Sequence, residues 1–166
     1  MITALLLSLG ALAAAPAAQD PVPTKLLRFP DVHGERVVFC YAGDLWTAPS
    51  TGGTAARLTA HPGLELFPRF SPDGRWVAYA SSESGAAEVY VRPYPEAGGR
   101  WQVSDGGGRF PTWSDDGREL YYHDTSRLWA VGIDPTSGRP SSRPQVLFET
   151  SEILGELCRI VRTGGH

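Results

Sequence analysis

Phe70-Ser71-Pro72-Asp73-Gly74-Arg75-Trp76-Val77-Ala78-Tyr79 reads as the end of one strand, a four-residue turn and the start of a second strand. Serine at the first turn position, proline pre-setting φ at the second and glycine closing at the fourth are the preferences of a type I turn. Beyond it Trp76 and Ala78 alternate with Val77 and Tyr79, the period of a half-buried strand. Gly34 and Gly117 end similar turns, 40 residues before and 43 residues after Gly74. Glu35-Arg36-Val37-Val38-Phe39 and Arg118-Glu119-Leu120-Tyr121-Tyr122 align with the residues that follow Gly74. A period of ~40–45 residues holding several short strands is that of propeller blades.

Working outward, each unit repeats one order. A first strand (Leu26 to Pro30, Leu66 to Phe70, Arg109 to Trp113) enters the turn and a second strand leaves it. A third carries an aliphatic-aromatic pair: Leu45-Trp46, Val89-Tyr90, Leu128-Trp129. Gly52-Gly53, Gly98-Gly99 and Gly138 turn the chain into a fourth, closing at Leu58-Thr59, Val103-Ser104 and Val146-Leu147. The fold class is therefore all-β, a partial β-propeller of about three four-stranded antiparallel blades. The blades span 25–60, 61–104 and 105–149. One blade has two apolar faces and buries them by stacking on neighbours. Trp46, Tyr90, Trp129, Phe39, Tyr79 and Tyr122 are the expected inter-blade core.

The flanks differ in character. Residues 1–18 form a Leu/Ala run ending in the small-x-small pattern Ala15-Pro16-Ala17 and read as a secretory signal, though without a basic residue ahead of the apolar core. The run is shorter than the ~20 residues of a spanning helix, so stable membrane insertion is not expected; residues 19–24 are a linker. In 150–166, Leu154, Leu157, Cys158 and Val161 have helical spacing but Gly155 interrupts them, leaving a short C-terminal helix and an unstructured tail as alternatives. The 166 residues include 19 Gly and 14 Pro, and the net charge is −3 without a basic stripe, which argues against a nucleic-acid partner. Cys40 and Cys158 lack metal-type spacing; whether they pair is left open.

Phe70-Ser71-Pro72-Asp73-Gly74 and Trp113-Ser114-Asp115-Asp116-Gly117 resemble the W/F-S-P-D-G signature of TolB-family WD-like propeller repeats, with Pro30-Asp31-Val32-His33-Gly34 as a degenerate copy. The stretch from Leu26 to Tyr79 is similar to the opening of the N-terminal propeller of tricorn-type peptidases. From Glu88 onward, E-V-Y-V-R-P-Y-P and G-G-G-R-F-P-T-W-S resemble propeller repeats at the C-terminal end of some bacterial serine/threonine kinases. In tricorn-type enzymes the catalytic serine belongs to a later domain, so the resemblance implies a scaffold without a nucleophile.

The residues themselves carry no catalytic pattern. There is no G-x-S-x-G elbow and no phosphate-cradling G-x-x-x-x-G-K, and Gly106-Gly107-Gly108 opens a strand. His33, His61 and His123 lack ligand spacing, and Asp115-Asp116-Gly117 lacks the further oxygens of a calcium loop. No metal, cofactor or catalytic residue is expected. His61 lies in the link between the first two blades, while Glu65 and Arg109 stand in places read as equivalent, just before the first strands of blades two and three. These three are the candidate binding residues, on loops rimming the channel mouth.

Two functions of different class follow. One is a secreted or periplasmic, non-catalytic module for protein or peptide interaction. The other is the propeller portion of a tricorn-like serine peptidase without its catalytic domain. Propellers typically have four to eight blades. Three leave open faces and edges, which invites a partner or a second copy to close the ring.

Overall fold

The structure, a computed structural model, describes residues 27–96 and 98–149. Twelve strands form three four-stranded antiparallel sheets in simple meander order, a partial β-propeller. Blade 1 holds β1 (Arg28–His33), β2 (Arg36–Tyr41), β3 (Asp44–Pro49) and β4 (Ala56–Arg57). Blade 2 holds β5 (Glu65–Phe70), β6 (Trp76–Ser81), β7 (Glu88–Pro93) and β8 (Trp101–Gln102). Blade 3 holds β9 (Arg109–Trp113), β10 (Glu119–His123), β11 (Arg127–Gly132) and β12 (Gln145–Glu149). No helix occurs among the described residues. The expected signal segment, the C-terminal helix and Cys158 lie outside them.

Two hairpins fold by one local device. Gly74 N donates to Ser71 O at 2.9 Å, Ser71 Oγ donates to Asp73 Oδ1 at 2.6 Å, and Trp76 N donates back to Ser71 Oγ at 3.0 Å. Ser114, Asp116, Gly117 and Glu119 repeat these bonds at 3.0, 2.7 and 2.9 Å. Gly74 and Gly117 take φ of 70° and 69°, which glycine adopts without a Cβ penalty. The first copy differs from the sequence expectation. β1 runs on through Pro30, Asp31 and Val32 to His33, which pairs with Arg36 across a two-residue turn at Gly34-Glu35. Without a Ser-x-Asp pair to anchor a longer turn, the strand continues until Gly34, at φ 53°, reverses it.

Strand alternation sends side chains to the two faces of each blade. Val38, Cys40 and Leu45 of blade 1 meet Phe70, Val77, Tyr79 and Tyr90 of blade 2. The other face of blade 2, with Trp76, Ala78, Val89 and Val91, meets Leu120, Tyr122, Val131 and Ile133 of blade 3. The expected aromatic core is thus present in both seams, with Tyr79 and Tyr90 in the first and Tyr122 stacked on Trp129 in the second. Phe39 and Trp46 differ. They lie half-buried on the face of blade 1 that has no neighbour among the described residues, and Trp46 Nε1 donates to Tyr41 O. Polar latches cross each seam: Phe70 N to Asp31 Oδ2 at 2.7 Å, Trp113 Nε1 to Arg69 O at 3.2 Å, and Trp76 Nε1 to Pro135 O at 3.1 Å.

Candidate functional site

The links between blades, β4 to β5 and β8 to β9, emerge at the same end as the turns between second and third strands, as a meander requires. This end carries the rim expected to bind. His61 lies there with its Nδ1 3.7 Å from Glu83 Oε2, while Arg100 Nε is 2.6 Å from Glu83 Oε1. Arg100 also sits 5.8 Å from the centroid of the Tyr90 ring. Together with Gln102 they line an open cleft of about 760 Å³.

Glu65 does not belong to that surface. It is the first residue of β5 and is 0 % exposed, so the expectation of an exposed rim position is corrected. Its Oε2 accepts from Leu45 N at 3.2 Å and from Thr59 Oγ1, and Thr59 Oγ1 in turn accepts from Leu45 N at 2.8 Å. Burial pushes its carboxyl up to about 7; the bonds from Thr59 and Leu45 oppose this and the charges of Asp44 and Glu83 add to it. Asp44 Oδ1, Glu65 Oε1 and Glu83 Oε2 are all buried without a hydrogen-bond partner among the described residues. Ser104 repeats the role of Thr59 one blade on. Its Oγ accepts from Val89 N at 2.7 Å and donates to Glu88, whose Oε1 accepts from Gly107 N at 2.9 Å. The glycine run therefore serves an internal carboxylate.

Arg109 is exposed on the far side of blade 2 from His61, beside a depression of about 450 Å³ that includes Gly107 and Asp124. The structure does not bring it together with Glu65, because the two are not equivalent. Phe29, Phe67 and Phe110 each precede a proline, have φ of 53°, 57° and 54°, and fall at the register shift of their innermost strand. Aligned on these residues, Arg109 corresponds to Arg28 and Leu66, one position beyond Glu65. Successive residues point to opposite sides of a strand, so that one-residue offset separates a buried carboxylate from an exposed guanidinium.

The three phenylalanines themselves form a ladder across the blades, with ring centroids 4.3 Å apart from Phe29 to Phe67 and 4.1 Å from Phe67 to Phe110. Left-handed backbone at a non-glycine residue costs ~1–3 kcal/mol. The following proline further disfavours the α region. The sequence signal was the Phe-Pro dipeptide recurring at 29, 67 and 110. Glu83 and Arg100 had no such signal, since each stands in an ordinary polar loop.

The hydroxyls at this end are bound into the scaffold: Thr59 and Ser104 as above, and Ser82 Oγ accepting from Leu64 N at 2.9 Å. Among the described residues no group of three or more His, Cys, Asp or Glu is placed to hold a metal ion. No helix among them is long and apolar enough to cross a membrane.

Comparison with known proteins places this geometry. Residues 24–134 match the family described as the tricorn protease N-terminal beta propeller domain. The chain is 38 % identical over 131 residues to tricorn protease homolog 1 of Streptomyces coelicolor, covering 74 % of this chain and 12 % of that protein. Among solved structures it is similar to TolB from Acinetobacter baumannii, with TM-score 0.57, 18 % identity and coverage of 73 % of this chain and 32 % of that one. It is also similar to the tricorn protease, with TM-score 0.54, 23 % identity and coverage of 66 % and 12 %. At these identities the structural likeness speaks for the fold, and the curated relative, matched over well over half of this chain, speaks for descent. The chain belongs to the family of tricorn protease N-terminal β-propeller domains.

Proposed function

We propose that this chain is a secreted or periplasmic β-propeller module that binds a protein or peptide partner without catalysing a reaction. The observation that carries the reading is the cleft where the link from blade 1 meets blade 2, which His61, Glu83, Tyr90, Arg100 and Gln102 line with mixed polar and aromatic groups. Loops on a rigid sheet scaffold are the usual place for recognition. The Leu/Ala run over residues 1–18 supports export. Site-specific photo-crosslinking in cells tests it: a crosslinker at Gln102, on β8 in the lining of the cleft, captures partners, and one at Thr51, in the β3–β4 loop, does not. The same products from both positions would overturn the cleft assignment. Hydrolysis of peptides by the purified chain, abolished by a serine-directed inhibitor, would overturn the non-catalytic reading.

A second reading, the propeller portion of a tricorn-like serine peptidase, is favoured by the kinship with tricorn homologues. It requires a peptidase domain supplied by neighbouring coding sequence, and sequencing the flanking DNA tests it directly.

Self-association belongs to the same proposal. Val37, Phe39 and Trp46 occupy on blade 1 the positions by which Val77, Tyr79 and Tyr90, and then Leu120, Tyr122 and Trp129, dock on the preceding blade. A second copy presenting an open blade face fits this surface.

A further inference from the structure

The Phe29–Phe67–Phe110 ladder runs across the innermost strands of all three blades, and part of it is open. Phe110 is 52 % exposed and Leu64 53 %, the latter lining one hollow with Phe67 and Arg109. Each end of the ladder is preceded by an arginine, Arg28 on β1 and Arg109 on β9, while the middle repeat has Leu66 in that position. Both arginines are exposed, and neither has an ion-pair partner among the described residues. Arg57, Arg69, Arg75, Arg100 and Arg127 are paired with Asp44, Asp31, Asp73, Glu83 and Glu149, while Arg36, Arg118 and Arg143, also exposed and without an ion pair among the described residues, stand off the innermost strands. The acidic group beside Arg109, Asp124, is already engaged by Ser126 N, Arg127 N and Trp129 Nε1 at 2.7, 2.7 and 2.9 Å.

We propose that this ladder and its two arginines form a docking surface for an extended partner segment in which an aromatic residue is flanked by aspartate or glutamate. The inference rests on the module reading above and names its surface and partner. The chemistry follows the layout of charge. Arg28 lines one hollow with Phe29, Leu64 and Leu66, and Arg109 lines another with Leu64, Leu66 and Phe67, so the two guanidiniums share an apolar strip that complements an acid–aromatic–acid sequence. A guanidinium binds carboxylates through paired N–H donors. An incoming ring packs against rings already in tilted contact at centroid spacings of 4.1–4.3 Å. Strained backbone at three equivalent positions, each placing its own ring in the ladder, is the kind of feature found at ligand-binding surfaces.

Fluorescence anisotropy with the full chain tests this, using the labelled, doubly capped peptide acetyl-GDEYEDG-amide as probe. The capped ends remove any terminal carboxylate, so only side-chain acids are read. The probe binds, the analogues with Ala for Tyr or Lys for the acids do not, and added salt weakens the complex. The double variant Arg28→Ala/Arg109→Ala weakens binding about five- to tenfold, as loss of two exposed charge contacts implies. Phe110→Ala weakens it independently of salt. Both arginines are exposed and without an ion-pair partner among the described residues, so the double variant keeps the parental circular dichroism, and it decides the question if Phe110→Ala misfolds. Absence of binding, equal binding of the three peptides, or an unchanged double variant would overturn the proposal. If crosslinking at Gln102 still captures partners in that case, the module reading stands and only this surface is wrong; if it captures none, the module reading falls separately.

Discussion

Glu65 has one carboxylate oxygen held by Leu45 N and Thr59 and the other, Oε1, without a hydrogen-bond partner among the described residues, deep in the seam between blades 1 and 2. Its carboxyl is raised from 4.5 to about 7, chiefly by burial. A raised acid binds its proton more tightly in the folded state, so its contribution to stability is complete below about pH 4.5 and is lost as pH rises through about 7. Asp73, Asp116, Asp124 and Asp134 are lowered and act in the opposite sense, only as pH falls below the ordinary aspartate range. The interval between pH 4.5 and 7 therefore isolates Glu65 from them. Glu65→Gln keeps an acceptor for Leu45 and Thr59. It is expected to flatten urea-measured stability across this interval and to raise it at pH 8 by roughly 1–3 kcal/mol. A stability profile unchanged by the substitution would contradict the assignment.

Hairpins and bulges carry information at the level of elements. In β5–β6 and β9–β10 the Asp of the turn ties together a serine hydroxyl and a following backbone N–H, Arg75 N at 3.1 Å and Arg118 N at 3.0 Å. Asp73→Ala removes these bonds and the Arg75 contact and should cost about 1 kcal/mol by thermal unfolding. The β11–β12 connection shows a second kind of constraint. Gly138 has φ of 67°, and a Cβ there would run into the Trp76 ring. Gly52 in the β3–β4 connection has φ of 95° but open space around it. Gly138→Ala should therefore destabilise by about 2–4 kcal/mol and Gly52→Ala by only about 1 kcal/mol, separating overpacking from backbone strain. Equal losses in the two variants would show that strain alone governs.

At the scale of the whole molecule, both seams are built from one pair of complementary faces used twice, and blade 1 presents that face a third time without a described neighbour. Sedimentation velocity is expected to show concentration-dependent association. Phe39→Glu, which places a charge on the open face, should shift the population toward monomer while leaving circular dichroism intact. Leu120→Ala, in the second seam, should instead lower stability by about 2–5 kcal/mol. A monomeric parent with cooperative unfolding would sink the self-association proposal.

What the sequence determined by itself is the repeat: Ser71-Pro72-Asp73-Gly74, its partner at Ser114, and the period-2 strands that follow were enough to count three four-stranded blades. Turn chemistry and alternation are local, so they are written in neighbouring residues and survive being read in one dimension. The first turn was misplaced because Pro30 and Asp31 mimic the motif while tertiary pairing carries β1 on to His33. The site was legible only in part. His61 was legible as a residue of the link between the first two blades, but its company with Glu83 and Arg100 joins residues 22 and 17 positions apart through loops without a pattern. Glu65 and Arg109 looked interchangeable. Only the structure, by fixing the bulges at Phe29, Phe67 and Phe110, set the register that turns one into the seam and the other to solvent, since a shift of one residue reverses the face of a strand.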